Sequence, residues 1–219
     1  MIRITILYLF FVSIIVAINP PQQGTIPDSV IQMFRYQEIG NEYGDPGWIR
    51  KLQNIKNNQA RDEQLYFNIP VLLGKYSDQA QTYFTASDFN QLLFDNNPGG
   101  TMTEYFNEIS YGMLQVDGFA NGWYQSSMTM SEAVQNTKLY VSEIASMADS
   151  DFNYAQYDND GPDNVPNSGD DDGYVDGIIV VYSGCGAEWR PGNGNIWPHQ
   201  SSLGQYEYIT NDIGANGTN

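Results

Sequence analysis

The apolar positions of this chain fall into short blocks between polar turns, and their spacing changes from block to block. Residues 67–73 (FNIPVLL) form a compact apolar run that predicts a buried strand, ending before the polar Ser77 and Asp78. From Thr85 the spacing turns helical. Thr85 and Asp88 stand as a helix-start signature, with Phe89, Leu92 and Leu93 following on one face. Residues 97–100 (NPGG) predict a loop. Thr101 and Glu104 then form a second capping box, opening a helix with Tyr105, Phe106 and Ile109 on one side and Gly112 as its stop. Residues 113–124 (MLQVDGFANGWY) alternate as a hairpin would, with Gly118 and Gly122 near its turns. Ser131 is expected to cap a longer helix carrying Val134, Val141, Ile144, Ala145 and Ala148, and residues 177–182 (GIIVVY) are the most strand-like run. The alternation of strand and helix predicts an α/β domain, with α+β as the alternative.

The two ends of the pattern differ from its middle. Residues 1–17 (MIRITILYLFFVSIIVA) place Arg3 ahead of an apolar stretch that closes on the small Ala17. That stretch is shorter than the roughly 20 apolar residues a spanning helix needs, so a cleaved signal peptide is expected rather than a membrane anchor. Residues 18–63 are polar, with Pro20, Pro21, Pro46 and Gly47 as breakers, and are expected as a linker or propeptide-like segment. The folded domain is expected over 64–219, in a secreted, extracellular protein. No repeat of solenoid period interrupts it.

Composition removes several functions. The chain of 219 residues has 26 Asp and Glu against 9 Lys and Arg, a formal net charge of −17. Such a surface repels phosphate, which argues against nucleic acid as a partner and against docking on anionic lipid. A single Cys excludes an intramolecular disulfide framework, and a single His excludes any zinc site that takes two imidazoles from these residues.

The acids concentrate in one loop. Residues 157–182 read YDNDGPDNVPNSGDDDGYVDGIIVVY, with seven Asp between 158 and 176 and no Lys or Arg between Lys138 and Arg190. Like charges packed together are costly unless a cation or water screens them. Asp158 and Asp160 stand two apart, followed by Gly161. Asp170, Asp172 and Asp176 stand two and four apart around Gly173, and Asp163 lies between the groups. These spacings suit calcium, which takes about six to eight oxygens at roughly 2.3–2.6 Å. The expected ligands are Asp158, Asp160, Asp163, Asp170, Asp172 and Asp176. The loop is no EF-hand, because its glycine comes fourth rather than sixth and no Glu closes it. A solvated acidic turn is the alternative.

An ordered series of short motifs now becomes informative. It runs IPVLL (69–73), FTASDF (84–89), LF (93–94), GTMTEYF (100–106), SYG (110–112), VDG (116–118) and GWY (122–124). It continues with Phe152, YDNDG (157–161), DGYVD (172–176) and IWPH (196–199). In order and spacing this series resembles the immune inhibitor A-like family of secreted zinc metallopeptidases, over about residues 65–210. The resemblance implies a metallopeptidase-like α/β domain with a mixed sheet. It further implies a catalytic zinc on an HExxH helix, structural calcium nearby, and protein or peptide substrates for the complete enzyme. No HExxH occurs in these residues. The family places it downstream of the segment matching residues 208–212, so the domain is expected to be incomplete at its C-terminus and inactive by itself.

The remaining candidates are weaker. His199 has no Cys or carboxylate at ligand spacing, and the resemblance implies a place beside the cleft, where it is expected to pack or hydrogen-bond on the substrate side. Cys185 would need a base to act as a nucleophile and is expected to be inert. Glu188 and Trp189 either line a cleft or pack on the loop, and Asn216 starts a glycosylation pattern with a high false-positive rate. Three readings stand: part of a secreted zinc endopeptidase, a calcium-binding surface or adhesion module, or an inactive peptidase-like scaffold.

Overall fold

The structure, a computed structural model, describes residues 64–79, 82–95, 97–161, 163–187, 195–215 and 217. The expectations for residues 1–17, 18–63, Glu188, Trp189 and Asn216 lie outside the described residues. Strand β1 (Leu65–Lys75) is followed by helices α1 (Ala86–Leu93) and α2 (Met102–Ile109), then by strand β2 (Leu114–Gln125). Helices α3 (Met130–Gln135) and α4 (Thr137–Ala148), a short 3₁₀ turn (Tyr154–Tyr157), strand β3 (Ile179–Tyr182) and a second 3₁₀ turn (Gly204–Tyr206) complete the order.

The three strands form one sheet in the order β2-β1-β3, and both pairings are parallel. The class is therefore α/β. Among the described residues no strand runs antiparallel, where a mixed sheet was expected. In β1 the residues from Val71 to Gly74 are buried without alternation, as befits a central strand covered on both faces. Its side chains divide between two cores. Leu72 and Tyr76 join Tyr140, Ile144, Ala145 and Ala148 of α4, together with Phe152, Tyr154 and Tyr157. Val71 and Leu73 join Ala120 of β2 against Phe89, Leu93, Phe94 and Trp123. The first crossover runs from β1 out to β2 and the second from β2 back past β1 to β3. Crossovers of one hand running in opposite directions lie on opposite faces, and α1 and α4 accordingly pack in different cores.

Local chemistry explains the helix starts. Thr85, Thr101 and Thr129 each accept a hydrogen bond from the backbone N–H three residues on, and the Asp88, Glu104 and Glu132 carboxylates each accept one from the cap residue's own N–H. The first two caps are those expected. The third replaces Ser131, which lies inside α3, and the single long helix expected there is split at Asn136 into α3 and α4. The last turn of α2 closes where Gly112, with φ of 79°, donates to Asn107.

The expected hairpin over 113–124 is instead one continuous strand, β2. A period of two is shared by a hairpin and a straight strand, so alternation could not separate them. Neither glycine makes a turn. Gly118 lies where the Phe94 ring and the Ile69 carbonyl crowd the backbone, leaving no room for a Cβ. Gly122, with φ of 124°, sits where the register slips between Leu73 and Gly74. Gly74 has a similar role on the other face, its missing Cβ making way for the hydroxyl of Tyr140 and for Ile144.

Gly118→Ala would set a Cβ 2.2 Å from the Ile69 carbonyl oxygen and 2.6 Å from Phe94 Cζ. It is expected to destabilise the domain by about 1–3 kcal/mol, as overpacking does. Denaturant unfolding checks this, and an unchanged midpoint would contradict the close approach.

Candidate metal centre

The acidic loop begins at the end of the first 3₁₀ turn and runs back into β3. Its base is closed by the Asp176 N–H, which donates to the Tyr157 carbonyl at 2.9 Å. Inside it, the Asn167 N–H donates to the Asp158 carbonyl at 2.8 Å. Asn164 and Asn167 hold left-handed backbone, φ 59° and 55°, which short polar side chains tolerate. The loop is tied to the start of β1. Asn159 Nδ2 donates to the Tyr66 carbonyl and Asn164 Nδ2 to the Gln64 carbonyl, at 3.4 and 3.3 Å.

This folding brings together Asp158, Asp160 and Asp171. One carboxylate oxygen from each lies within 4.8 Å of the others. The three residues are only 4%, 4% and 6% exposed. Backbone N–H groups orient Asp158 and Asp171. Asp158 Oδ2 accepts from Gly173 at 2.7 Å, while Asp171 accepts from Gly161 at 2.7 Å and from Ser168 at 2.6 Å. Charged carboxylates at this separation repel by about 3 kcal/mol per pair at an effective dielectric near 20. Protonation or a bound cation relieves that repulsion, and a buried Asp cluster of this kind can hold a metal ion.

Of the six expected ligands, two belong to this group. Asp176 is buried and accepts from the Asn159 N–H at 3.2 Å, but it is not part of the triad. Asp172 is half-buried and caps its own turn by accepting from the Tyr174 N–H. Asp163 and Asp170 are exposed and converge on the Ser168 hydroxyl. Asp170 is also the reason for Gly161, since a Cβ there would lie 2.7 Å from its Cγ.

The third member, Asp171, is absent from the expected set. The two-residue spacing pointed to its neighbours, whereas the turn at Ser168 rotates the middle acid inward. The reciprocal pair of Ser168 N–H to Asp171 Oδ2 and Asp171 N–H to Ser168 carbonyl makes that turn. A Ser three residues before an Asp is the signal that could have found it.

The other sequence candidates stay apart from the triad. His199 is exposed, its Nδ1 2.7 Å from the Trp197 carbonyl, and it joins no metal-ligating group among the described residues. A catalytic zinc prefers imidazole and thiolate donors, so the residues described here do not fit one. Cys185 is an exposed free thiol. No helix among the described residues is long and apolar enough to cross a membrane.

Comparison with known protein families and with curated proteins gives no match for this chain.

The Ser168 hydroxyl donates to the Asp170 carboxylate and holds its pKa below the ordinary carboxylate value. A depressed folded pKa gives stability that is present above the unfolded pKa, near 3.9, and is lost as pH falls through the lower folded pKa. Ser168→Ala is expected to move the Asp170 titration upward. Carbon-13 carboxyl NMR reads this directly, and an unmoved titration would remove the hydroxyl as its cause.

Proposed function

We propose that Asp158, Asp160 and Asp171 bind calcium as a structural ion, in a secreted domain of the zinc-metallopeptidase type. The observation that carries the calcium reading is the buried, all-oxygen donor set. A hard cation takes carboxylate and carbonyl oxygens, and two oxygens bound at roughly 2.4 Å stand no more than about 4.8 Å apart. Position argues for a structural role. The loop is fastened to the first residues of β1 and leads into the first residues of β3, at the amino ends of the strands. In open parallel sheets the chemistry gathers at the carboxyl ends.

The peptidase reading is supported by the ordered motif series between residues 69 and 199. It requires imidazoles from outside these 219 residues, since they contain one His. In the complete enzyme the substrates would be proteins or peptides. Taken alone, the single His favours a second reading, a calcium-stabilised module without catalysis.

Saturating calcium at a hundredfold excess over its Kd is expected to stabilise the protein by about 2.7 kcal/mol, and a chelator to reverse this. Asp171→Asn should weaken calcium at least tenfold by calorimetry, while Asp170→Asn should leave it nearly unchanged. A melting temperature indifferent to both calcium and chelator would end the calcium reading. Separately, the 219-residue protein with zinc is expected to leave casein intact. Zinc-dependent cleavage would show that catalysis needs no further residues.

A further inference from the structure

Helices α1 and α2 are fixed to β2 by polar contacts beside the apolar ones of Phe89 and Leu93. Asn90 of α1 bonds the Ala120 backbone in both directions, and the Thr103 hydroxyl of α2 donates to the Val116 carbonyl at 2.6 Å. Neither helix buries a residue, although each is amphipathic. On α2 the ridge of Tyr105 and Ile109, one helical turn apart, is 58% and 52% exposed, and Tyr111 just beyond it is 67% exposed. Neighbouring exposed apolar side chains can mark an interaction surface.

Three observations identify the cover. The first is where the chain enters. The Leu65 N–H donates to the Met113 carbonyl at 2.8 Å, so residue 64 lies beside the loop leaving the C-terminal end of α2. Gln64, the first described residue, therefore lies at the foot of this ridge. The second is charge. Of the nine basic residues, Lys75, Lys138 and Arg190 alone follow Glu63, whereas Arg50, Lys51, Lys56 and Arg61 fall within residues 48–61, which contain no acid. Helix α2 presents Glu104 and Glu108 and carries no base. The third is apolar spacing. Trp48, Leu52 and Ile55 recur at intervals of four and three, inside a segment that otherwise reads as polar.

We infer that residues 48–61 of this same chain dock on the exposed face of α2, setting Trp48, Leu52 and Ile55 against Tyr105, Ile109 and Tyr111. The basic side chains then meet Glu108 and the acidic surface around it. A second copy is a poorer occupant, because two bodies of such negative charge repel.

Hydrogen exchange on the full chain tests the assignment. Amides of residues 48–61 and of 102–109 are expected to be protected, and the double substitution Leu52→Asp with Ile55→Asp should lower protection in 102–109 at least tenfold. Ile109→Asp should lower protection in 48–61 in return. Lys56→Glu should weaken the contact and Glu108→Lys should restore it in that background. Unprotected exchange over 48–61, with 102–109 unaffected by the double substitution, would overturn the inference. So would a dimer on size exclusion that Ile109→Asp dissociates and the double substitution does not, since a second copy would then be the cover.

Discussion

Three carboxylates drawn into a space from which water is largely excluded repel one another, and the acidic loop is arranged around that repulsion. The N–H groups of Gly161, Ser168 and Gly173 point at Asp158 and Asp171 and fix their directions. Such dipoles orient a carboxylate without cancelling its charge. The glycines follow from the same crowding: Gly161 lets the Asp170 carboxyl lie close to the backbone, and Gly173 takes a positive φ while donating to Asp158. The loop thus converges on one charged centre, and the proposed cation is what makes that convergence favourable.

The centre matters to the fold because of what it touches. The loop is pinned to the opening residues of β1, the strand from which both hydrophobic cores are built. Its closing residue, Asp176, lies three positions before β3. Ordering the loop therefore sets where the edge strand β3 enters the sheet, against Val71 to Gly74 of the central strand. At the C-terminal end of α4 another carboxylate fastens a distant segment through hydrogen bonds. Asp149 accepts from the Tyr208 hydroxyl and from the backbone and side chain of Asn211, tying the late segment to the helix end.

Much of the secondary structure was legible in residue order because its causes are local. The caps at Thr85 and Thr101 need only a hydroxyl and an acid three residues on. The strand at 67–73 and the strand within 177–182 announce themselves by short apolar runs, the first interrupted only by Asn68. What could not be read was any feature in which one pattern serves two structures. The alternation across 113–124 fits a hairpin or a single strand, and pairing with β1 along its whole length decided for the strand. Ser131 and Thr129 are both good caps, and Glu132 at the right distance selected Thr129.

The candidate site divides along the same line. From sequence alone came the charge imbalance, the single His and Cys, the acidic loop and the oxygen character of its donors, because these depend on which residues are present. Which acids meet was a matter of tertiary structure. Asp171 turned inward and Asp163 and Asp170 outward because the Ser168 turn and the anchoring to β1 set the direction of each side chain. Spacing along a flexible loop limits which carboxylates can share an ion, but only the path of the backbone in three dimensions chooses among them.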